Sequence, residues 1–411
     1  MAIRPETKAP AKPRSRKQAP PKPAGRNLVI MLDGTGNELG RNLSNVLKLY
    51  RIAKKDQTQI CYYNPGVGTI SRPNPWARFR QKANGVLGLA TGYGLDDNVL
   101  GAYKFLIENW QEGDRVYLFG FSRGAWTARV LAGFIHLIGL LHPEQLNMCD
   151  SALGTYKRAA QDNDLSIAWH FARVIRTRRI SIEFIGVWDT VASVLVPRKD
   201  RFWLPSLETL PYTRNNPSVA KFRHALAIDE RRRMFRVAIW DDAQTHKPNP
   251  FNAKLNRPQD TKQMWFAGVH SDVGGGYAEE DSALSKYPLI WMMEEAESAG
   301  LEIQPRMLRH LARGVTVGED SEHQYVPPSP SGKIHNSLTW GWKIFEIFPK
   351  RASRREWKRS SLLGLYLPLG EPRLIPENAL IHPSVHERAK TLVEYRPVNL
   401  PKSLIDERRA K

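Results

Sequence analysis

Five residues, Gly120-Phe-Ser122-Arg-Gly124, join a run of strand formers to a run of helix formers. Asp114-Arg-Val-Tyr-Leu-Phe119 before them is apolar and rich in residues that favour strands. Ala125-Trp-Thr-Ala-Arg-Val-Leu-Ala132 after them reads as a helix. A chain that passes from strand to helix so abruptly strains its backbone at the serine. It also brings helix and strand too close for a Cβ at the flanking positions, so glycine is needed two residues to either side. The bare five-residue pattern is common by chance. Its setting between strand and helix is what makes Ser122 a candidate nucleophile, exposed on a sharp turn at a strand end.

The rest of the chain repeats the strand–helix alternation from Asn27 onward. Leu28-Val-Ile-Met-Leu32 reads as a buried strand ending at Asp33-Gly-Thr-Gly-Asn37. Ser44 or Asn42 can cap a helix in which Val46, Leu49, Tyr50 and Ala53 share a face. Gln59-Ile-Cys-Tyr-Tyr63 is a second strand, and a Gly-rich apolar stretch covers 83–94. A helix follows with Asp96 and Asp97 in its first turn, where they complement the dipole, and with Val99, Tyr103, Leu106 and Trp110 on its core face. Residues 150–180 look helical and polar. Ser181-Ile-Glu-Phe-Ile-Gly-Val187 and Met264-Trp-Phe-Ala-Gly-Val269 are further strands, and a helix spans roughly 283–299. Such alternation predicts an α/β fold of the α/β-hydrolase kind, a mostly parallel sheet with helices on both faces. The expected divisions are a disordered basic, Pro-rich arm over 1–26, a catalytic domain over 27–330, and a C-terminal extension over 331–411 packed on it. Residues 196–262, rich in Pro, Arg and Asn, read as a long insertion.

Just past the predicted strand ends stand Ser122, Asp189 and His270. A parallel sheet places its active residues there, and serine, acid, histidine is the chain order of α/β-hydrolases. Histidine suits the task because its ordinary pKa of about 6.5 lets it take and return a proton near neutrality. In that logic His270 deprotonates Ser122 and Asp189 holds the imidazole, giving an acyl-enzyme. Asp189 can equally cap a following helix, and His270 can be a satisfied core histidine. Asp272, two residues beyond His270, competes for the acid's place or else fixes the glycine-rich loop Ser271-Asp-Val-Gly-Gly-Gly276. His224 and His246 are the histidines held in reserve. The N–H of Arg123, after the nucleophile, and one from Gly34 or Thr35 are the expected oxyanion donors, each contributing about 3 kcal/mol in a dry site. The alternative for that loop is a tight turn closed by an Asx bond at Asp33.

Other chemistries lose on residue type. An aspartate nucleophile of the haloacid-dehalogenase kind wants a second Asp two residues before Asp33, where Met31 stands. No Gly-Lys-Ser/Thr follows either glycine-rich loop, so a phosphate-binding P-loop is out. Cys61 and Cys149 give neither a disulfide framework nor zinc spacing, and no metal or other cofactor is expected. No apolar run is long enough to span a bilayer and the N-terminus lacks the apolar core of a signal peptide. The expectation is a protein made in the cytoplasm, with any export by a route that needs no signal peptide.

Net charge is +20 over 411 residues, and the first 26 residues concentrate it. Arg4, Lys8, Lys12, Arg14, Arg16, Lys17, Lys22 and Arg26 face a lone Glu6 there, with prolines interspersed. Such an arm cannot bury enough apolar surface to order itself. It can serve as a tether to anionic lipid or a partner. It has no aromatic residues to stack on bases, which disfavours nucleic acid. A second basic cluster spans Lys350–Arg359. Trp340, Trp342, Phe345 and Phe348 precede it and Leu362-Leu-Gly-Leu-Tyr-Leu367 follows, a composition that suits either an anionic lipid interface or ordinary core packing beside a solvated loop.

Four strings taken together, Leu-Asp33-Gly-Thr-Gly-Asn, Leu-Phe-Gly-Phe-Ser122-Arg-Gly-Ala, Gly-Val-Trp-Asp189-Thr-Val-Ala and Ala-Gly-Val-His270-Ser-Asp-Val-Gly-Gly-Gly-Tyr, resemble the catalytic domain of type VI secretion phospholipase effectors, a bacterial family. Ile381-His-Pro-Ser-Val385 and Tyr395-Arg-Pro-Val-Asn-Leu-Pro401 are similar to its closing segment, so the resemblance covers about 26–401. It implies an α/β-hydrolase fold, a Ser122–Asp189–His270 triad and hydrolysis of acyl esters in phospholipids. The partners it implies are a lipid substrate and its anionic surface, with a secretion apparatus or an immunity protein in a toxin. The competing readings are a soluble carboxylesterase and a non-catalytic hydrolase-fold module that works through its basic arm.

Overall fold

Alternate residues of Leu28–Leu32 point into two different cores, and this sorts the whole molecule into layers. The computed structural model describes residues 25–34, 42–66, 94–191, 195–197, 205–207, 210–249, 252–316, 324–347, 349–351, 357 and 361–401. The N-terminal arm to residue 24, Thr35, the Gly-rich stretch up to 93, Phe348 and most of the basic cluster at 350–359 lie outside the described residues.

The sheet has seven strands: β1 (Asn27–Leu32), β2 (Gln59–Asn64), β3 (Arg115–Phe121), β4 (Ile182–Trp188), β5 (Val219–Ala227), β6 (Asp260–Phe266) and β7 (Leu380–Ile381). Their spatial order is β7-β6-β5-β4-β3-β1-β2, and every pairing is parallel. Leu28, Ile30 and Leu32 pack with Val99, Tyr103 and Leu106 of the helix Leu95–Asn109 and with Leu131 and Phe134 of the helix Arg123–Ile138. Val29 and Met31 pack on the opposite face with Val46 and Leu49 of the helix Asn45–Ile52 and with Met292 of the helix Lys286–Ser298. Ser44 is the cap of the first of these helices, its hydroxyl accepting from the Leu47 N–H.

The chain leaves β1 for β2 on one side and returns to β3 on the other. Helices therefore depart to opposite faces after β1 and β3, the kind of topological switch at which open α/β sheets place their sites. Leu32 of β1 lies level with Gly120 of β3, and Phe121 with Trp188 of β4. The segments after Leu32, Phe121 and Trp188 thus converge on one end of the sheet.

Two expectations change. The stretch 196–262, read as an insertion, contains the central strand β5 and the start of β6. Lys221, Arg223 and His224 hide β5 by breaking its apolar run. Arg223 is nonetheless buried, paired with Glu295 at 2.6 Å and Asp260 at 2.8 Å. The region 331–411, read as an extension, supplies the edge strand β7. Its Ile375, Val385, Tyr395 and Leu400 also close a third core against Leu226 and Trp265. Among the described residues no helix is long and apolar enough to cross a membrane.

Candidate active site

Ser122 holds φ 57° and ψ −119°, a conformation that costs a non-glycine residue about 1–3 kcal/mol. The surrounding packing enforces it. A Cβ on Gly120 would stand 2.4 Å from the Gly124 carbonyl oxygen, and one on Gly124 would stand 2.0 Å from that of Leu32. Both glycines are thus required by close approach of backbone. The Ser122 N–H donates to the Trp188 carbonyl at 3.1 Å, which fastens the turn to the end of β4.

Asp189, immediately after β4, has φ 39° and is fully buried. Its Oδ2 meets His270 Nδ1 at 2.5 Å, and its Oδ1 accepts the Ala227 N–H at 3.0 Å. Arg373 donates to both oxygens, at 2.5 Å and 2.9 Å. Burial alone would raise this carboxyl, but the Arg373 charge and the His270 bond outweigh it and hold Asp189 well below the usual carboxylate range.

His270 opens the short helix His270–Gly274. Its ring lies between Phe121 and Phe235, with centroids 4.7 Å and 4.8 Å away. Burial lowers its pKa, opposed by the Asp189 bond. With Nδ1 committed to Asp189, Nε2 is the nitrogen left for a hydroxyl. No hydrogen bond joins it to Ser122 Oγ among the described residues. Phe121, the residue before the serine, places the ring beside the turn, and such bonds commonly form only around bound substrate.

Asp272 does something else. Its Oδ2 accepts the Val269 N–H at 2.9 Å and its Oδ1 meets His335 Nδ1 at 2.6 Å. It ties down the loop that carries His270. Asp33 likewise accepts from the hydroxyls of Ser44 and Tyr63, the latter at 2.9 Å, and from the Gly34 N–H at 2.7 Å. The Gly34 amide, one of the expected oxyanion donors, is therefore committed to Asp33. Arg123 begins the helix behind the serine, with its N–H one residue past the nucleophile. His224 accepts the Thr190 N–H at 3.0 Å and lies 3.3 Å from Arg129, while His246 joins Ser181 and Arg257. Both histidines are structural. Among the described residues no group of three or more His, Cys, Asp or Glu is placed to hold a metal ion.

Two site residues escaped sequence reasoning. Arg373 is isolated in the sequence and more than a hundred residues from the acid it grips. Glu230 is buried, accepts the His270 N–H at 3.2 Å, and is paired with Arg232 at 2.8 Å. Burial opposes its ionisation, but the Arg232 bonds win and bring its pKa down to about 2. A carboxylate just past the end of a strand is the signal that could have found it, had β5 been recognised.

An all-parallel sheet with a strained serine between β3 and its helix, beside a buried His–Asp pair that follows β6 and β4 on either side of β5, has the arrangement of an α/β-hydrolase. Residues 26–295 match the family model described as type VI secretion system phospholipase effector, Tle1-like, catalytic domain, and the chain belongs to that family. It is 33% identical to the uncharacterized protein YEL023C of Saccharomyces cerevisiae, over 92% of this chain and 81% of the yeast protein. Sequences of this kind therefore occur outside bacteria. A solved structure of an uncharacterized protein from Pseudomonas aeruginosa is 20% identical, with a TM-score of 0.36, over 69% of this chain and 47% of that one. The Tle1 effector bound to the VgrG spike of the type VI secretion system is also 20% identical, with a TM-score of 0.30, over 68% of this chain and 57% of that one. The chain thus spans about half the length of these solved structures, and at such scores they add nothing to the fold argument.

Proposed function

We propose that this protein is a serine hydrolase of acyl esters, of phospholipase type, working through Ser122, His270 and Asp189. The observation that carries the reading is the strained Ser122 turn fastened to the strand end that presents Asp189, whose carboxylate in turn holds His270 Nδ1 at 2.5 Å. His270 Nε2 takes the Ser122 proton as Oγ attacks the ester carbonyl carbon. The Arg123 N–H, with the Thr35 N–H as the second donor, stabilises the oxyanion. The C–O bond breaks, the leaving alkoxide takes the proton from His270, and water then hydrolyses the acyl-enzyme by the same steps in reverse order.

Glycerophospholipid is the proposed substrate on the strength of family membership, and the charge of +20 draws the protein to anionic surfaces. The solved Tle1 effector is bound to a VgrG spike. A secretion-apparatus partner for this chain, like synthesis in the cytoplasm, is a proposal resting on membership and composition alone. The test is release of fatty acid from anionic glycerophospholipid vesicles by the intact chain and by Ser122→Ala. Wild-type release that the variant abolishes supports the reading. Release from a soluble ester but from no vesicle would make the protein a soluble esterase, and no Ser122-dependent turnover of either would leave a binding module.

A further inference from the structure

We propose that His335, Ser337 and Arg373, which lie beyond the family-matched segment, complete the active centre, with Arg373 as a positioning residue that orients Asp189 and moderates the basicity of His270. The proposal rests on the hydrolase reading above.

Three acids hold His270 and its loop. Asp189 takes the ring, Glu230 takes the His270 N–H, and Asp272 takes the N–H of Val269. Each acid is gripped in turn from the C-terminal segment. Ser337 donates to Glu230 Oε1 at 3.0 Å, and His335 meets Asp272 through Nδ1 at 2.6 Å and its backbone N–H at 3.2 Å. Arg373 takes both oxygens of Asp189 and directs its remaining bonds to the carbonyls of Ala227 at 2.9 Å and Phe235 at 2.6 Å. A bidentate fork fixes the carboxylate plane as a lysine could not. Phe235 also meets the His270 ring edge-on, so Arg373 steadies that ring from two sides.

The charge has a consequence of its own. The groups around the imidazole are Asp189 at Nδ1, Arg373 behind it, Glu230 at the backbone N–H, Arg232 over Phe235 at 3.5 Å, and the Asp272–His335 pair along its own loop. With Arg373 present, protonating His270 leaves a net positive triplet of Arg, Asp and His. Without it, the same proton produces a neutral His–Asp pair. Removing Arg373 therefore raises the pKa of His270 even as it loosens Asp189.

The experiment uses the full chain with a soluble short-chain ester, measuring kcat and KM from pH 4.5 to 8, alongside fluorophosphonate labelling of Ser122. For Arg373→Met, kcat should fall roughly 100-fold, less than the about 10⁴-fold for a lost triad acid, with KM little changed. The acid limb of kcat/KM should move up by about one pH unit, and added guanidinium should restore part of the rate. Arg373→Lys keeps the charge and loses the fork, so kcat should fall while the acid limb stays in place. It carries the test if Arg373→Met does not fold. A labelled wild type with unchanged variants overturns this proposal alone. So does a fall in Arg373→Met with an unmoved acid limb and no guanidinium rescue, since a purely structural arginine would behave that way. A wild type that does not label at Ser122 overturns the hydrolase reading itself.

Discussion

Ser122 and Trp188 are joined by a backbone hydrogen bond of 3.1 Å from the serine N–H to the tryptophan carbonyl. The nucleophile's turn is thereby fastened to the strand end that presents the acid one residue later. Geometry at the serine and geometry at Asp189 cannot drift apart, and the turn survives its strained dihedrals because both flanking glycines let backbone meet backbone.

Gly124→Ala tests that arrangement. The added methyl would stand 2.0 Å from the Leu32 carbonyl oxygen, so the helix must move off β1. A loss of about 3 kcal/mol in stability is expected, with turnover lost along with the turn. Urea unfolding and ester hydrolysis on the same preparation check it, and a variant as stable and active as wild type would contradict the account.

Asp189 and Asp272 are separated by paired substitutions. Asp189→Asn leaves the shape intact but spoils the imidazole tautomer, which should lower kcat by about 10⁴. Asp272→Asn disturbs only the loop hydrogen bonds to Val269 and His335 and should cost far less. If Asp272→Asn proves the worse of the two at equal thermal stability, the acid has been assigned to the wrong residue.

Histidines set a pH dependence of stability. Burial lowers His136 and His382 to about 4, and it lowers His224, His246 and His270 as well. Each is held below its unfolded value of 6.5, so the unfolded chain gains protons first as pH falls. Their contribution is complete above about 6.5 and is lost as pH drops toward 4. Asp229, raised by burial to about 6, and Asp272, also raised by burial, work in the opposite sense but are two groups against five. The melting temperature should therefore fall steadily from pH 7 to 4.5. A flat or rising curve would contradict the buried neutral histidines.

The lowered pKa of His270 and the strand ends that meet around it were not equally legible in the chain. β1, β3 and β4 announce themselves as apolar runs, and the glycines around Ser122 mark the turn because only a close strand–helix approach needs both. β5 is masked by Lys221, Arg223 and His224, whose burial depends on partners such as Glu295 that lie far along the chain. Arg373 and Glu230 carry no local signature for the same reason. A buried ion pair is a property of the fold, and no periodicity records it. β7, two residues long, is too short to register as a strand by any pattern.

Electrostatic attraction to lipid is screened beyond about 10 Å at 0.1 M salt. Turnover on anionic vesicles should therefore fall as salt is added, while turnover of a soluble short-chain ester on the same preparation should barely change. Equal losses on both substrates would remove the surface attraction from the account.

The central claim is that Ser122 is a nucleophile, and covalent capture tests it most directly. The intact protein treated with a fluorophosphonate should gain one adduct, mapped by mass spectrometry to the peptide containing Ser122. Ser122→Ala should gain none, and Asp189→Asn should react far more slowly. An unlabelled wild type, or labelling unchanged in Ser122→Ala, would contradict the account.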